Sequence, residues 1–130
     1  MTKEDWKKAE ERLFGSFSGV DLMVDGYRVG LRLTRLKMKL VILPYINGDY
    51  KAEWQLNDCE ERRRFFRPVT ASAWTAKGKR AMKKIPKSHL KKMGIDPDQK
   101  NTYYSWAWPS FGPLRRHLEK NNKSISLVEP

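Results

Sequence analysis

The sequence predicts a single α+β domain. Apolar residues recur at helical spacing near the N-terminus, alternate with polar residues over residues 20–54, and return to helical spacing in the second half of the chain. A run of strands flanked by helices is typical of the α+β class. The chain has 130 residues, which is a usual length for one domain and is long enough to bury a core.

The chain is predicted to begin with a helix. Thr2 stands three positions before Asp5, which is the spacing of an N-terminal capping box. Gly15 is a natural end for this helix, because glycine readily adopts the conformation that follows a helix C-terminus. Between these signals an apolar stripe recurs at i, i+3 and i+7, formed by Trp6, Ala9 and Leu13.

Residues 20–54 are predicted to form an antiparallel meander of four strands. The Asp-Gly pair at 25–26 is a strong signal for a two-residue hairpin turn, and Asn-Gly-Asp at 47–49 is a second turn signal. Pro44 cannot donate a hydrogen bond to a neighbouring strand, so we expect a sheet edge or a bulge there. The four strands are expected at about residues 20–24, 27–34, 38–46 and 50–54.

Short basic helices are predicted in the second half of the chain. Residues 57–67 are expected to form a short helix or an ordered loop, and residues 71–84 favour a helix. A second short helix is expected over residues 87–93. Gly94 and a folded-back Ile95 would then give it a Schellman-like ending.

The C-terminal third is predicted to contain one more helix and one more strand. Residues 96–102 read as a polar connector, and the aromatic-rich segment after them is expected to be extended. Ser110 can cap a last helix, whose apolar residues recur at i, i+3 and i+7 as Phe111, Leu114 and Leu118. Residues 124–128 alternate, which indicates a terminal strand that could join the sheet.

The positive charge is concentrated in the second half of the sequence. The chain has 27 lysines and arginines and 15 aspartates and glutamates, for a formal net charge of +12. Residues 1–60 hold ten of each sign, so the whole excess belongs to residues 61–130. A local positive field attracts polyanions, so the second half is predicted to carry a contact surface.

Basic residues interleaved with aromatic ones form the strongest functional signal. Arginine binds phosphate bidentately and lysine binds it as a point charge, while nearby aromatic side chains can stack on unpaired bases. Trp106 and Trp108 are open to two interpretations, as core residues or as a contact surface. The residues predicted to contact nucleic acid or another partner are Arg62, Arg63, Arg64, Arg67, Lys77, Lys79, Arg80, Lys83, Lys84, Lys87, Lys91 and Lys92.

No cofactor or metal site is predicted, and no membrane segment. Cys59, His89 and His117 are the only cysteine and histidines, and their spacing matches no ligand pattern. The longest apolar run, residues 40–43, is far shorter than the roughly 18 residues of a membrane span. The N-terminus also lacks the apolar stretch of a secretion signal. We therefore expect a cytoplasmic protein.

No catalytic residue is predicted. No serine or cysteine lies in a nucleophile motif, and residues 15–19 are predicted to form a turn, without the Gly-Lys-Ser/Thr of a phosphate loop. The triplet Asp-Tyr-Lys at 49–51 matches part of a nuclease signature but falls on a predicted turn. The chain is expected not to be an enzyme, and a small metal-dependent nuclease or hydrolase is the alternative.

Three stretches resemble a group of small phage- and prophage-borne proteins. They are INGDYKAEW at 46–54, DCEERRRFFRPV at 58–69 and YYSWAWPSFGPLRRHLEKNNKSISLV at 103–128. The group has no assigned activity and no catalytic residues to carry over. Its lysine-rich middle is a longer unbroken helical stretch, which Gly78 and Pro86 interrupt here. The resemblance implies an accessory protein of a bacterial virus that acts in the host cytoplasm.

Small non-enzymatic proteins of that kind often block host defences, including RNA-guided nucleases. By analogy, the resemblance implies an inhibitor of such a nuclease that binds nucleic acid or a nucleic-acid-loaded host complex. Binding through phosphates would weaken steeply with salt. The alternative is an inhibitor that binds an acidic protein surface, for which tryptophan and arginine side chains would supply the strongest contacts.

Overall fold

The computed structural model describes residues 1–15 and 19–129, so part of the predicted turn at 15–19 lies outside the described residues. The described residues form six helices and six strands, which confirms the predicted α+β class. No helix among them is long and apolar enough to cross a bilayer. The helices are α1 (Lys3–Gly15), α2 (Glu53–Leu56), α3 (Glu60–Phe65), α4 (Ala76–Lys83), α5 (Lys87–Lys92) and α6 (Phe111–Asn121). The strands are β1 (Val20–Val24), β2 (Tyr27–Leu36), β3 (Lys39–Ile46), β4 (Arg67–Ser72), β5 (Lys100–Ser105) and β6 (Ile125–Leu127).

The chain divides into two compact units. The first unit comprises Met1–Arg67 and Tyr104–Pro130, and the second unit comprises Pro68–Tyr103. The second unit is therefore inserted in the sequence of the first. The first unit holds a four-stranded sheet, while β4 and β5 pair in a separate two-stranded sheet. That the chain folds as a single domain stays a prediction.

The four-stranded sheet has the order β3-β2-β1-β6 and is antiparallel throughout. Asp25 and Gly26 join β1 to β2 with φ angles of 47° and 88°, and two positive values are the mark of a type I′ turn. Pro44 lies in β3, which is an edge strand of this sheet. This position was expected because proline has no backbone N–H to donate to a neighbouring strand. The predicted terminal strand is confirmed as β6, which pairs with β1.

The predicted fourth strand of the meander, residues 50–54, is wrong. Directly after β3, Asp49 forms an isolated bridge back to Ile46, and α2 follows. Tyr50 and Trp54 instead pack against the buried ring of Phe66. Their i, i+4 spacing suits one face of a helical turn as well as one face of a strand, so the pattern fits both structures.

The second unit contains a pair of strands where the sequence predicted other structure. Residues 71–72, predicted to start a helix, belong to β4, and residues 100–102, predicted as a connector, belong to β5. The hydroxyls of Thr70 and Thr102, which are 32 residues apart in sequence, lie 3.3 Å apart across the pair. Local periodicity does not report a pairing over such a separation.

The core of the first unit is formed by the sheet with α1, α3 and α6. Phe65 and Phe66, at the end of α3, are fully buried. The Trp108 indole N–H donates to the Phe65 carbonyl at 2.9 Å, and Trp106 donates to a carbonyl of β3 at 2.6 Å. Both tryptophans therefore belong to the packing of this unit. The predicted apolar stripes of α1 and α6 are buried, which places Trp6, Ala9, Leu13, Phe111, Leu114 and Leu118 in the core.

Replacing Phe65 by alanine is expected to lower the free energy of unfolding by about 3–5 kcal/mol, because it leaves a cavity in a closely packed core. Leu56, which is 79% exposed on α2, is the matched control. Leu56→Ala should change the free energy of unfolding by less than about 0.5 kcal/mol. Urea unfolding monitored by circular dichroism measures both values. Similar effects of the two substitutions would contradict this description of the core.

Candidate functional site

The twelve basic residues predicted to contact a partner are divided between the two units. Four of them lie on or directly after α3 and belong to the first unit, namely Arg62, Arg63, Arg64 and Arg67. The other eight lie on and around α4 and α5 and belong to the second unit, namely Lys77, Lys79, Arg80, Lys83, Lys84, Lys87, Lys91 and Lys92. The two groups have different surroundings.

Arg64 holds segments of the first unit together. Its guanidinium lies 2.6 Å from the Asp25 carboxylate in the β1–β2 turn and 2.6 Å from the Glu60 carboxylate on α3. It also donates to the side-chain oxygen of Asn122 at 2.9 Å. Because these acceptors occupy its donors, Arg64 has little capacity left for phosphate.

Asp25 is the acceptor at the centre of this cluster. The backbone N–H groups of Lys123 and Ser124 donate to its carboxylate at 2.9 and 2.7 Å. These two donors, together with Arg64, hold the pKa of Asp25 below its ordinary value. The same bonds place the start of β6 beside the β1–β2 turn.

The other arginines of α3 are engaged to different degrees. The Arg62 guanidinium lies 3.9 Å from the centre of the Tyr104 ring, a cation–π contact. Arg63 is exposed, with its Nε 3.7 Å from the Asp58 carboxylate. Arg67 is half-buried at the start of β4. Arg63 is therefore the member of this group most open to a partner.

His117 is a packed residue of α6 with both ring nitrogens in contact. Burial lowers the pKa of its imidazole. Its Nε2 lies 3.1 Å from the Arg63 carbonyl oxygen and its Nδ1 lies 3.2 Å from the Asn121 amide nitrogen. A neutral ring protonated on Nε2 satisfies both. Among residues 1–15 and 19–129, no three histidine, cysteine, aspartate or glutamate side chains lie close enough together to hold a metal ion.

In the second unit, local hydrogen bonds define the ends of α4 and α5. Thr75 caps α4, since its hydroxyl accepts a hydrogen bond from the Gly78 backbone N–H at 3.0 Å. The predicted Schellman ending of α5 is confirmed. The N–H groups of Gly94 and Ile95 donate to carbonyls of α5 at 3.1 and 2.9 Å, and Gly94 has the expected positive φ of 71°.

The second unit is strongly basic. Residues 68–103 contain nine lysines and arginines and two aspartates, for a formal net charge of +7. Within this range, all of which the structure describes, no lysine or arginine forms an ion pair with either aspartate. All eight predicted contact residues of this unit are exposed. Their charges therefore add to one positive field that faces solvent.

A groove of about 500 Å³ opens on the same unit. Residues of α4, of α5 and of the loop after α5 line it. Lysine side chains stand at its edge and apolar side chains form its floor. The groove could not be predicted from the sequence, because it depends on how two short helices and a loop come together.

A second depression, of about 490 Å³, lies on the polar face of the four-stranded sheet. Arg28 and Arg32 line it, but both donate to the Asp21 carboxylate, at 2.8 and 2.9 Å. Partial burial acts to raise the pKa of Asp21, but these hydrogen bonds outweigh it and hold the pKa below its ordinary value. Because the carboxylate offsets the arginines, this depression suits a polyanion less well. This cluster was not predicted, although Arg28 and Arg32 fall on one face of a strand by their spacing.

The lysine-rich surface of the second unit is the feature that best indicates a function. Comparisons with protein-family models, with curated proteins and with solved structures give no match to this chain. Exposed cations without carboxylate partners are suited to a phosphate backbone. The arginines at Asp21 and Asp25 differ from them, since their charges are already satisfied within the first unit.

Replacing Asp25 by asparagine is expected to destabilise the protein near neutral pH, because the amide carries no charge for Arg64 and has one acceptor oxygen fewer. The lowered pKa means that the carboxylate stabilises the folded state above its unfolded-state pKa, about 3.9. This contribution is lost as the pH falls through the lower folded-state pKa. Thermal unfolding of both proteins from about pH 7 to about pH 2 measures the effect. The difference in Tm should be largest at neutral pH and should close in acid, and a constant difference would contradict the assignment.

Proposed function

We propose that this protein binds nucleic acid through an exposed basic face of the second unit. The observation that carries the proposal is the net charge of +7 on residues 68–103 without an ion pair to either aspartate of that unit. A lysine without a carboxylate partner keeps its attraction for phosphate. The basic face consists of Lys77, Lys79, Arg80, Lys83, Lys84, Lys87, Lys91 and Lys92.

The basic face suits a phosphate backbone better than a particular base sequence. Side chains four positions apart on a helix lie roughly 5–6 Å apart, and Lys79 and Lys83 have this spacing on α4. A lysine ammonium is a point charge on a flexible stem, so it can follow the phosphates of a strand, which in duplex DNA repeat about every 3.4 Å along the helix axis. Contacts to phosphates do not depend on the base sequence. Each neutralised phosphate releases counterions, so the binding weakens as the salt concentration rises.

We extend this proposal to a non-enzymatic accessory role in a bacterial cytoplasm. The resemblance of residues 46–54, 58–69 and 103–128 to phage-borne proteins supports this setting. The nucleic acid would be free or held in a host nucleoprotein complex such as an RNA-guided nuclease. The basic face would then compete for phosphates that the nuclease must hold, so it would inhibit without chemistry of its own.

Replacing Lys83, Lys84 and Lys87 by alanine is expected to weaken binding and to flatten its salt dependence. On duplex DNA, each lost phosphate contact reduces the magnitude of the slope of log K against log salt concentration by about 0.9. The slope of the triple variant should therefore be smaller in magnitude by roughly 2–3. Fluorescence anisotropy with labelled duplex and single-stranded oligonucleotides over ~50–300 mM salt measures this.

The matched control for this variant replaces Lys3, Lys7 and Lys8 of α1 by alanine. It removes the same charge from exposed positions of the first unit and should keep the wild-type slope. Equal losses in the two variants would show that net charge alone sets the affinity. A wild-type protein that binds no oligonucleotide at ~50 mM salt would refute nucleic-acid binding, since phosphate contacts are strongest there.

One observation favours a protein partner as a second candidate function. The tip of the β2–β3 hairpin exposes three apolar side chains, with Met38 95% exposed and Leu36 and Leu40 50% and 56% exposed. They alternate with cations in the order Arg35, Leu36, Lys37, Met38, Lys39 and Leu40. Three apolar side chains exposed at one tip favour binding to another protein, and the cations suit an acidic surface on that partner.

Replacing Met38 and Leu40 by serine is expected to reduce retention of such a partner by about tenfold or more, because the apolar anchors are lost. Wild type, this tip variant and the Lys83, Lys84, Lys87 alanine variant serve as baits in nuclease-treated bacterial lysate, and quantitative mass spectrometry compares them. A protein retained by wild type and by the lysine variant but lost from the tip variant supports this function. Identical captures on all three baits would contradict it.

A further inference from the structure

The groove of the second unit has an apolar floor. Met82 from α4 and Leu90 from α5 are buried, at 8% and 3% exposure. Ile85, between the two helices, and Pro97, in the loop after α5, are half-buried and complete the floor. Because removing apolar surface from water lowers the free energy, this floor favours a ligand with an apolar face.

Charged side chains form the rim of the groove. One of them is Asp98, in a loop that hydrogen bonds hold in place. The Asp98 backbone N–H donates to the Asp96 carboxylate at 2.9 Å, and the Trp74 indole N–H donates to the Asp96 carbonyl at 2.7 Å. The rim therefore combines one carboxylate acceptor, carried by an ordered loop backbone, with three cations from the basic face, namely Lys79, Lys83 and Lys87.

We propose that this groove binds one unstacked base of a single-stranded nucleic acid and that Asp98 favours a base with an exocyclic amino group. The inference rests on the nucleic-acid binding proposed above and names the kind of nucleic acid. One face of the base covers the apolar floor, and the flanking phosphates lie on the lysines of the rim. A base has apolar faces and polar edges, and so it matches a groove with an apolar floor and a polar rim.

The carboxylate of Asp98 discriminates between bases. Cytosine, adenine and guanine each carry an amino group that can donate to a carboxylate. Thymine and uracil offer one ring N–H between two carbonyl oxygens, and both oxygens repel an approaching carboxylate. Cytosine and thymine are the sharpest pair for comparison, because they are similar in size and differ mainly in this group.

A base in a duplex cannot occupy the groove. Its faces are covered by neighbouring bases, and its amino group is paired with the other strand. Taking a base out of a duplex costs the free energy of both unpairing and unstacking, whereas in a single strand no base pair has to be broken. The groove therefore favours single strands, although a duplex has the denser phosphate charge.

An acidic peptide is the competing occupant, since its carboxylates would bind the lysines and an apolar side chain would cover the floor. Asp98 argues against it, because a carboxylate on the rim repels the carboxylates of such a peptide. In a nucleotide, the sugar and the base ring separate the phosphate from the amino edge. One ligand can therefore place its phosphate on a lysine and its amino group on Asp98.

The test compares 12-nucleotide oligo(dC) and oligo(dT) and the oligo(dC)–oligo(dG) duplex by fluorescence anisotropy with the full chain, at one salt concentration of ~100 mM. Wild type is expected to bind oligo(dC) about fivefold more tightly than oligo(dT), which is the size of one good contact to a base edge. It is expected to bind the duplex more weakly than oligo(dC).

The Asp98→Asn variant isolates the carboxylate. An amide can accept from cytosine and donate to thymine, so the ratio of the two affinities should fall to about one. The affinity for oligo(dT) should stay the same or rise, since a negative charge is lost. A general structural defect would lower both affinities and leave their ratio unchanged. Asp58→Asn removes an exposed carboxylate from the first unit and should keep the fivefold ratio.

Three outcomes would overturn the inference. Equal wild-type affinities for oligo(dC), oligo(dT) and the duplex would contradict the proposal that the groove binds a base, but not the proposal that the protein binds nucleic acid. Displacement of oligo(dC) by an acidic peptide that carries apolar side chains, but not by poly-L-glutamate at equal charge concentration, would assign the groove to an acidic peptide. No binding of any oligonucleotide at ~50 mM salt would contradict both the proposed nucleic-acid binding and the proposed base site.

Discussion

The packing of the first unit depends on the carboxylate of Asp25. This residue lies in the type I′ turn between β1 and β2, at a positive φ that aspartate tolerates. Its oxygens accept hydrogen bonds from Arg64 of α3 and from the two N–H groups that precede β6. One side chain thus joins three segments that are far apart in sequence. Because β6 has only three residues, these bonds at its start help to set which residues pair with β1.

The sequence predicted the structure well where a few neighbouring residues decide it. The stripe of α1, the turn at residues 25–26, the Schellman ending at Gly94 and the apolar spacing of α6 are all present as expected. Each of these features depends on backbone angles and side chains within one or two turns of chain. The excess of positive charge in residues 68–103 was predictable from the sequence, since composition alone determines it.

Contacts between distant residues account for what the sequence could not predict. The pairing of β4 with β5 joins residues about 30 positions apart, and Tyr50 and Trp54 pack on Phe66 instead of joining the sheet. The same limit applies to the candidate site. The charge of Arg64 was visible in the sequence, but its carboxylate partners were not. The place of Asp98 beside an apolar floor was hidden in the same way.

The insertion of the second unit in the sequence of the first affects the order of events during translation. Ser124, which bonds to Asp25 beside β6, follows that residue by 99 positions. A ribosome adds about 5–20 residues per second, so roughly 5–20 s separate the emergence of the two partners. The edge of β1 that β6 later covers stays open for that time, and an open strand edge is where non-native pairing begins. The nascent chain therefore presents the whole lysine-bearing insert to the cell before its larger sheet can close.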